Sequence, residues 1–237
     1  MRYKYYDLVM AFFVSVLLIS NIASSAKIVD WGITLFGIPI VFDAGTLLFP
    51  LSYIFGDVIT EVYGFQRGRR VIWMGFACSA LMSLTLWLVA RMPPESYWEK
   101  NVGQDQYNAI LGGVSSGAIV IASLIAYWAG EFSNSFVLAK MKLLTKGRWL
   151  WSRTIGSTLV GEGIDTILFV SIATILGVPG FVPEIWFALI MSNYLFKCGI
   201  EAMMTPVTYK VVNQLKRAEN EDYFDYNTDF NPFKLTD

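Results

Sequence analysis

The chain contains no histidine among its 237 residues. That absence removes the commonest transition-metal ligand, the commonest general base and the commonest proton relay together. Most hydrolytic chemistries known inside membranes lose their base with it. Cysteine is almost as scarce. Cys78 and Cys198 both lie within apolar runs and lack C-x-x-C spacing, so they read as small packing residues rather than as ligands or a disulfide framework. Charge is sparse too, at 16% of residues, where a soluble domain carries roughly a quarter. With 18 Lys and Arg against 19 Asp and Glu, the chain offers no general attraction to nucleic acid. Its first residues, MRYKYYDLVMAFFVSVLLIS, are basic then apolar, but no A-x-A cleavage site follows, and the segment reads as a retained first helix. The two halves share no motif spacing, so an inverted-repeat carrier has no support.

What is abundant is apolar surface: 55% of the residues are hydrophobic and 16% aromatic. A helix needs about 20 residues to cross roughly 30 Å of hydrocarbon. Six stretches meet that length, near residues 6–26, 44–64, 69–90, 112–134, 151–176 and 185–208. The expected fold is an all-α membrane protein, a bundle of six transmembrane helices. Basic residues alternate between the connections: 13 fall on one side, only Lys27, Arg91 and Lys100 on the other, and Arg153 and Lys197 lie inside apolar runs. The positive-inside rule then predicts both termini in the cytoplasm. Residues 1–217 form the transmembrane domain. Residues 218–237 are acidic and turn-rich, and read as a solvated cytoplasmic tail whose aromatic content allows docking.

Residues that ought not to lie in lipid carry the functional information. An ionised side chain at a helix centre costs at least about 2.5–3.5 kcal/mol, so it faces protein, a ligand or water. Helix two places Asp57 and Glu61 one turn apart, with Pro50 expected to kink or widen it. Glu61 is close enough to Arg67, Arg69 and Arg70 to be an interfacial ion pair, whereas Asp57 lies deeper. Near the end of helix four, Glu131 and Asn134 are three residues apart and can offer a carboxylate and an amide to one ligand, or neutralise Lys140 or Arg153 and bond a neighbouring helix. Helix five is the most polar, with Arg153, Glu162 and Asp165. Its small residues, Ser152 with Gly156 and Ser157 with Gly161, allow close backbone approach inside the bundle. Arg153 either pairs with Glu162 or binds a ligand. In helix six, Lys197 and Glu201 have the i,i+4 spacing of a self-neutralising pair. Asn21 in helix one bonds a solute or another helix. Five interior acids against two bases favour a cationic or donor-rich solute, or require protonation.

Three ordered blocks, LLFPLSYIFGDVITEVYGFQRGRRVIW, GEFSNSFVLAKMK and GRWLWSRTIGSTLVGEGIDT, resemble the signature blocks of the queuosine precursor transporter family, the YhhQ-type proteins. The likeness spans most of residues 15–205. It implies an importer in the cytoplasmic membrane of a bacterium or archaeon, taking up 7-cyano- or 7-aminomethyl-7-deazaguanine or queuine for tRNA modification, on a six-helix fold similar to the vitamin-binding subunits of energy-coupling-factor transporters. No cofactor or metal is implied, and a homodimer is compatible. A 7-deazaguanine shows N1–H and its exocyclic amine side by side, so one carboxylate, Glu131 or Glu162, accepts both, and Asn134 or Arg153 meets O6. Asp57 or Asp165 complements an aminomethyl cation. Trp128, Phe132 or Tyr53 can stack on the ring. Two other functions stay open: a binding subunit of an ATP-driven complex, although helix one has Ala11, Ala23 and Ala26 in place of that class's Ala-x-x-x-Ala docking motif, and an enzyme holding a divalent metal on Glu162 and Asp165.

Overall fold

The computed structural model describes residues 3–35, 38–115, 117–178 and 181–234. Helix dominates it. Helix α1 covers Tyr6–Ala26 and is followed by an antiparallel hairpin, β1 Ile28–Leu35 with β2 Ile38–Asp43. These strands are rich in β-branched residues, and their register slips between Asp30 and Thr34 where Gly32 takes a positive φ of 66°, a bulge only glycine enters without strain. The helical class is as expected; the hairpin adds to it. A 3-10 turn, Ala44–Leu47, then leads into α2, Phe49–Tyr63, and α3, Phe65–Ala90. Two short helices, α4 Ser96–Asn101 and α5 Gln104–Ser115, precede α6 Gly117–Leu144 and α7 Leu150–Ile175. A second 3-10 turn, Pro183–Ile185, opens α8, Trp186–Glu219.

Four helical stretches, Tyr6–Ala26, Phe65–Ala90, Gln104–Leu144 and Leu150–Ile175, are long and apolar enough to cross a membrane. Their outward faces carry exposed Phe12, Leu81, Leu84, Ile121, Ile125 and Ile167, a contiguous apolar exterior that water would not tolerate and lipid solvates. Helix α8 has the length but carries Lys197 and Glu201, while α2, at 15 residues, is only about 22 Å long.

That short helix is the centre of the bundle. It packs against α1, α3, α6 and α8, and residues 56–65 are all buried. Ile54, Val58, Ile59, Val62 and Tyr63 form the main core with Val9, Phe13 and Leu17 of α1 and Val71, Leu150 and Val212. Pro50 does not kink the helix interior. It lies in the first turn of α2, where its missing N–H has no intrahelical partner to lose. Helix α6 ends ten residues beyond the expected limit, which moves Glu131 and Asn134 from a helix end to mid-helix. It pairs with α7 through glycine: a Cβ on Gly130 would meet the Gly161 carbonyl at 3.1 Å, and one on Gly161 would meet the Gly130 carbonyl at 3.0 Å. Close approach at Gly161 was legible in the spacing of small residues.

The acidic tail is docked rather than solvated. Gly64 turns the chain between α2 and α3 with φ 87°, and a Cβ there would strike the Tyr223 ring at 2.2 Å. A glycine has no side-chain oxygen to cap the following helix, and the tail supplies one: both carboxylate oxygens of Asp225 accept the Phe65 N–H, each at 3.1 Å. Farther on, the carbonyls of Asp229 and Asn231 accept from buried Arg69, and Trp73 donates to the Pro232 carbonyl at 2.8 Å. Phe230 packs on Phe65 and Phe136 under the Lys140 ammonium. If Asp225 is the cap of α3, Asp225→Ala should lower stability by about 0.5–2 kcal/mol. Thermal unfolding of the purified protein and protease sensitivity after Asn220 measure this; an unchanged melting temperature would remove the capping role.

Candidate functional site

Two layers of charge cross the bundle. The first lies where α2, α6, α7 and α8 converge at the end that also holds the tail, and its hub is Glu61. This carboxylate is fully buried. Arg153 of α7 addresses it with two nitrogens, Nη2 at 2.7 Å and Nε at 3.3 Å. Lys216 of α8 approaches the same oxygen at 2.7 Å and Lys142 of α6 at 3.5 Å. Lys142 also donates to the Glu61 carbonyl at 2.5 Å and to the Tyr223 carbonyl at 2.8 Å. Asp222 of the tail completes the set, at 2.5 Å from Lys142 and 2.8 Å from Lys216. Burial pushes the Asp222 carboxyl up, but hydrogen bonds from the two lysines outweigh it and hold the group below its ordinary value. Its contribution to tail docking is therefore present above the usual carboxylate range and lost as pH falls through the lower folded value.

Arg153 is thus fully engaged. Its remaining nitrogen donates to the Thr145 hydroxyl at 3.2 Å and to the Arg148 carbonyl, closing the α6–α7 turn. Its ion-pair partner is Glu61 and not Glu162. Nine residues separate Arg153 from Glu162, about 13.5 Å along a helix, beyond reach of a shared ion pair. Glu61, expected to pair with the arginines after it, pairs with three bases distant in sequence. Arg67 instead donates to the Tyr63 carbonyl at 2.8 Å, one turn back.

The second layer lies one turn deeper, and its members come from α2, α6, α7 and α8. Asp57 accepts from the Asn134 amide at 2.9 Å. Lys197 of α8 bridges to α7, 2.7 Å from Asp165 and 3.1 Å from Glu162. It does not neutralise Glu201, as the i,i+4 spacing suggested, because its ammonium extends across the helix interface. Glu131 sits against Gly56 of α2, where a Cβ would come within 3.3 Å of its Oε2. Asp57, Glu131 and Glu162 are the charged groups that bear on Glu201 from the other helices.

This layer differs from the first in what it leaves unmet. Among the described residues, Asp57 Oδ2, Glu131 Oε2, Asn134 Oδ1, Glu162 Oε1 and both carboxylate oxygens of Glu201 are buried without a hydrogen-bond partner, while Glu162 Oε2 meets the Lys197 ammonium at 3.1 Å. All of these atoms are acceptors. Buried polar atoms are normally paired, since an unmet one costs about 1–3 kcal/mol, so their concentration marks a place that awaits donors. Of the residues singled out in the sequence, Asp57, Glu131, Asn134, Glu162 and Asp165 come together here. Arg153 does not, and Asn21 does not: its amide donates to the Leu17 carbonyl one turn back, at 2.9 Å. Trp128 and Phe132 pack with Trp73, an arrangement that occupies their faces; the Tyr53 side chain lies outside the described residues. Glu201 was set aside in the sequence as structural. Its signal was the buried stripe Glu201, Thr205, Thr208 and Val212 of α8, which gives it an inward helical phase.

The family described as "Putative vitamin uptake transporter" has a sequence model that matches residues 43–211. Among curated proteins, the "Probable queuosine precursor transporter" of Bacillus subtilis (strain 168) is 24% identical over 176 residues, 74% of this chain and 73% of that protein. The "Queuosine precursor transporter" of Escherichia coli (strain K12) is 23% identical over 201 residues, 85% of each. That of Haemophilus influenzae, named "Probable queuosine precursor transporter", is 26% identical over 168 residues, 71% of this chain and 67% of its own. No solved structure matches the chain.

The Glu61 layer carries three bases against two acids. Glu61→Gln leaves three cations facing Asp222 alone and should cost about 3–5 kcal/mol. The double change Glu61→Gln with Arg153→Gln restores the original net charge and should recover about 1–3 kcal/mol of that loss. Arg153→Gln combined with Glu162→Gln should recover nothing. Folded yield and melting temperature of Glu61→Gln, Arg153→Gln and the two double variants decide it; recovery of the Arg153→Gln loss by the Glu162 change would reassign the partner of Arg153.

Proposed function

The chain belongs to the "Putative vitamin uptake transporter" family, and from that premise we propose that its inner layer binds a 7-deazaguanine. The chain is a multi-pass protein of the cytoplasmic membrane and an importer of queuosine precursors. One observation supports placing the solute in the inner layer: the buried atoms without partners at Asp57, Glu131, Asn134 and Glu162 are acceptors only. A 7-deazaguanine is rich in donors along one edge, at N1–H and the exocyclic amine, and presents a further N–H on its five-membered ring. Glu131 accepts the paired donors in a bidentate contact, with Glu162 as its neighbour for the ring N–H. The Asn134 amide and the Lys197 ammonium are the donors of the layer, and O6 falls to them in place of Arg153. Asp57 and Asp165 complement the ammonium of the 7-aminomethyl form.

The same reading sets the chain in the membrane as six spans with both ends in the cytoplasm. Tyr3, Lys4 and Tyr5 bond to Glu219 and Glu221 at the end of α8, and Tyr6 donates to the Arg67 carbonyl. The N-terminus, the α2–α3 junction, the α6–α7 turn and the tail therefore share one end, and most of the basic residues are found there, as the positive-inside rule asks. The short α2 is completed by the 3-10 turn before it. We read the protein as a carrier rather than an enzyme. The ammonium of Lys197, between Glu162 and Asp165, stands where a divalent cation would have to lie. An ATP-driven complex is the remaining alternative, and transport by the purified chain alone would exclude it.

Two measurements test this reading. Cysteines at Ser96 and Lys146, both exposed, should label from opposite sides of intact cells, Ser96 from outside; labelling from one side would overturn the six-span topology. Glu131→Gln exchanges an acceptor for a donor that faces the donors of the base. It should weaken binding of 7-cyano-7-deazaguanine by about 2–5 kcal/mol with no loss of apo-protein stability, since Oε2 has no protein partner to lose. Unchanged affinity in calorimetry on the purified variant would move the bidentate contact to Glu162.

A further inference from the structure

Glu201 is left over when the inner layer has been assigned. It is 1% exposed, lies in the middle of α8, and neither of its carboxylate oxygens has a hydrogen-bond partner. The only cation of the layer on its own helix, Lys197, has its ammonium at Glu162 and Asp165. The groups that face Glu201 from the helices around it are acids: Asp57 from α2, Glu131 from α6 and Glu162 from α7. A bare carboxylate in such a place is unfavourable on every count, since it has lost its water, lacks a donor and meets charge of its own sign. Among the described residues no group of three or more His, Cys, Asp and Glu side chains is placed to hold a metal ion. The occupant that satisfies a single carboxyl with the least disturbance is a proton, which also turns one oxygen into a donor toward the neighbouring acids.

We propose that Glu201 is the coupling site of the carrier, taking up one proton from outside as the solute enters and releasing it to the cytoplasm as the solute leaves. The step balances simply: a proton passes from water to the carboxylate on one side and back to water on the other, with no bond of the solute made or broken. Solute and proton meet through the shared neighbours. Donors of the base hold Glu131 and Glu162 in their ionised form, and negative charge facing Glu201 favours its proton, so each occupancy strengthens the other. Glu201 itself makes no contact with the base, which separates it from the binding residues. This role rests on the importer reading above.

The test uses the purified full-length chain in proteoliposomes with radiolabelled 7-cyano-7-deazaguanine. Counterflow at equal pH, with unlabelled base inside, asks only whether the chain carries the solute; failure of the wild type there would remove the importer reading and the coupling role with it, whereas the outcomes below bear on the coupling role alone. With a membrane potential clamped at zero, an inward gradient of about one pH unit should drive about tenfold accumulation if one proton moves with each solute. Glu201→Gln should keep counterflow and lose the pH-driven accumulation. Glu201→Asp, a gentler change for the fold, should keep coupling with its pH profile displaced. The proposal is overturned if wild-type accumulation ignores the pH gradient, if a sodium gradient drives it instead, if Glu201→Gln still accumulates solute or, as a folded protein, loses counterflow, or if the Glu201→Asp profile coincides with that of the wild type.

Discussion

Everything at the end of this bundle that holds the tail is arranged around the burial of one carboxylate. Glu61 is fully buried on a short central helix, and a charge there is tolerable only with cations and donors held in good geometry. Three helices and the tail answer that requirement. Arg153 reaches from α7, Lys142 from α6 and Lys216 from α8, and Asp222 balances the surplus of positive charge from the tail. A bidentate guanidinium fixes both rotation and height of α7 relative to α2, which a single ammonium would not do. Once those heights are fixed, Asp57 and Glu131 have no choice of depth. They fall one helical turn farther from that end, where among the described residues no comparable set of bases exists.

The two layers differ in how far their charges are met within the protein. Near the interface each acid has its cation and the Arg153 donors are met, so the layer has little to gain from a solute. Farther in, Lys197 is shared by two acids and the other carboxylates face one another. Such an arrangement costs stability, and in the binding role proposed above a donor-rich solute or a proton recovers part of that cost. The α6–α7 contact at Gly130 and Gly161 makes this possible. With carbonyls 3.0–3.1 Å from where a Cβ would stand, the two backbones approach closely enough to bring Glu131, Asn134, Glu162 and Asp165 toward one another.

Much of this was legible in the sequence, and the failures have physical causes. Composition and the length of the apolar runs pointed to the helical membrane class, and the cost of charge in lipid drew attention to acids that the fold buries together. Partner choice could not be read. Arg153 and Glu162 stand on one helix in the sequence, but nine residues of rise separate them, and the partner of Arg153 is an acid 92 residues away. Lys197 and Glu201 have the spacing of a pair, yet two acids on α7 compete for the ammonium and prevail. Local spacing says which charges can meet on an isolated helix; in a bundle the neighbouring helix holds the alternatives. The β-hairpin was missed for a different reason, because IVDWGITL and IPIVFD are apolar enough to be taken as the approaches to helices.

The tail shows how a local deficiency is met from a distant part of the chain. Gly64 is required at the α2–α3 turn by its positive φ and by the Tyr223 ring against it, and the same lack of a side chain leaves α3 without a cap. Asp225 supplies the cap, Asp222 supplies charge to the Glu61 layer, and carbonyls of Asp229 and Asn231 satisfy buried Arg69. One short segment therefore completes three things that the helices leave unfinished, all at the end of the bundle that holds Glu61. Those contacts tie together the ends of α2, α3, α6 and α8, so the helices that hold Asp57, Glu131 and Glu201 are joined there. Separating these helix ends has to break both the Glu61 network and the contacts of the docked tail, so the charges that fix the relative heights of α2 and α7 also hold the bundle together at this end.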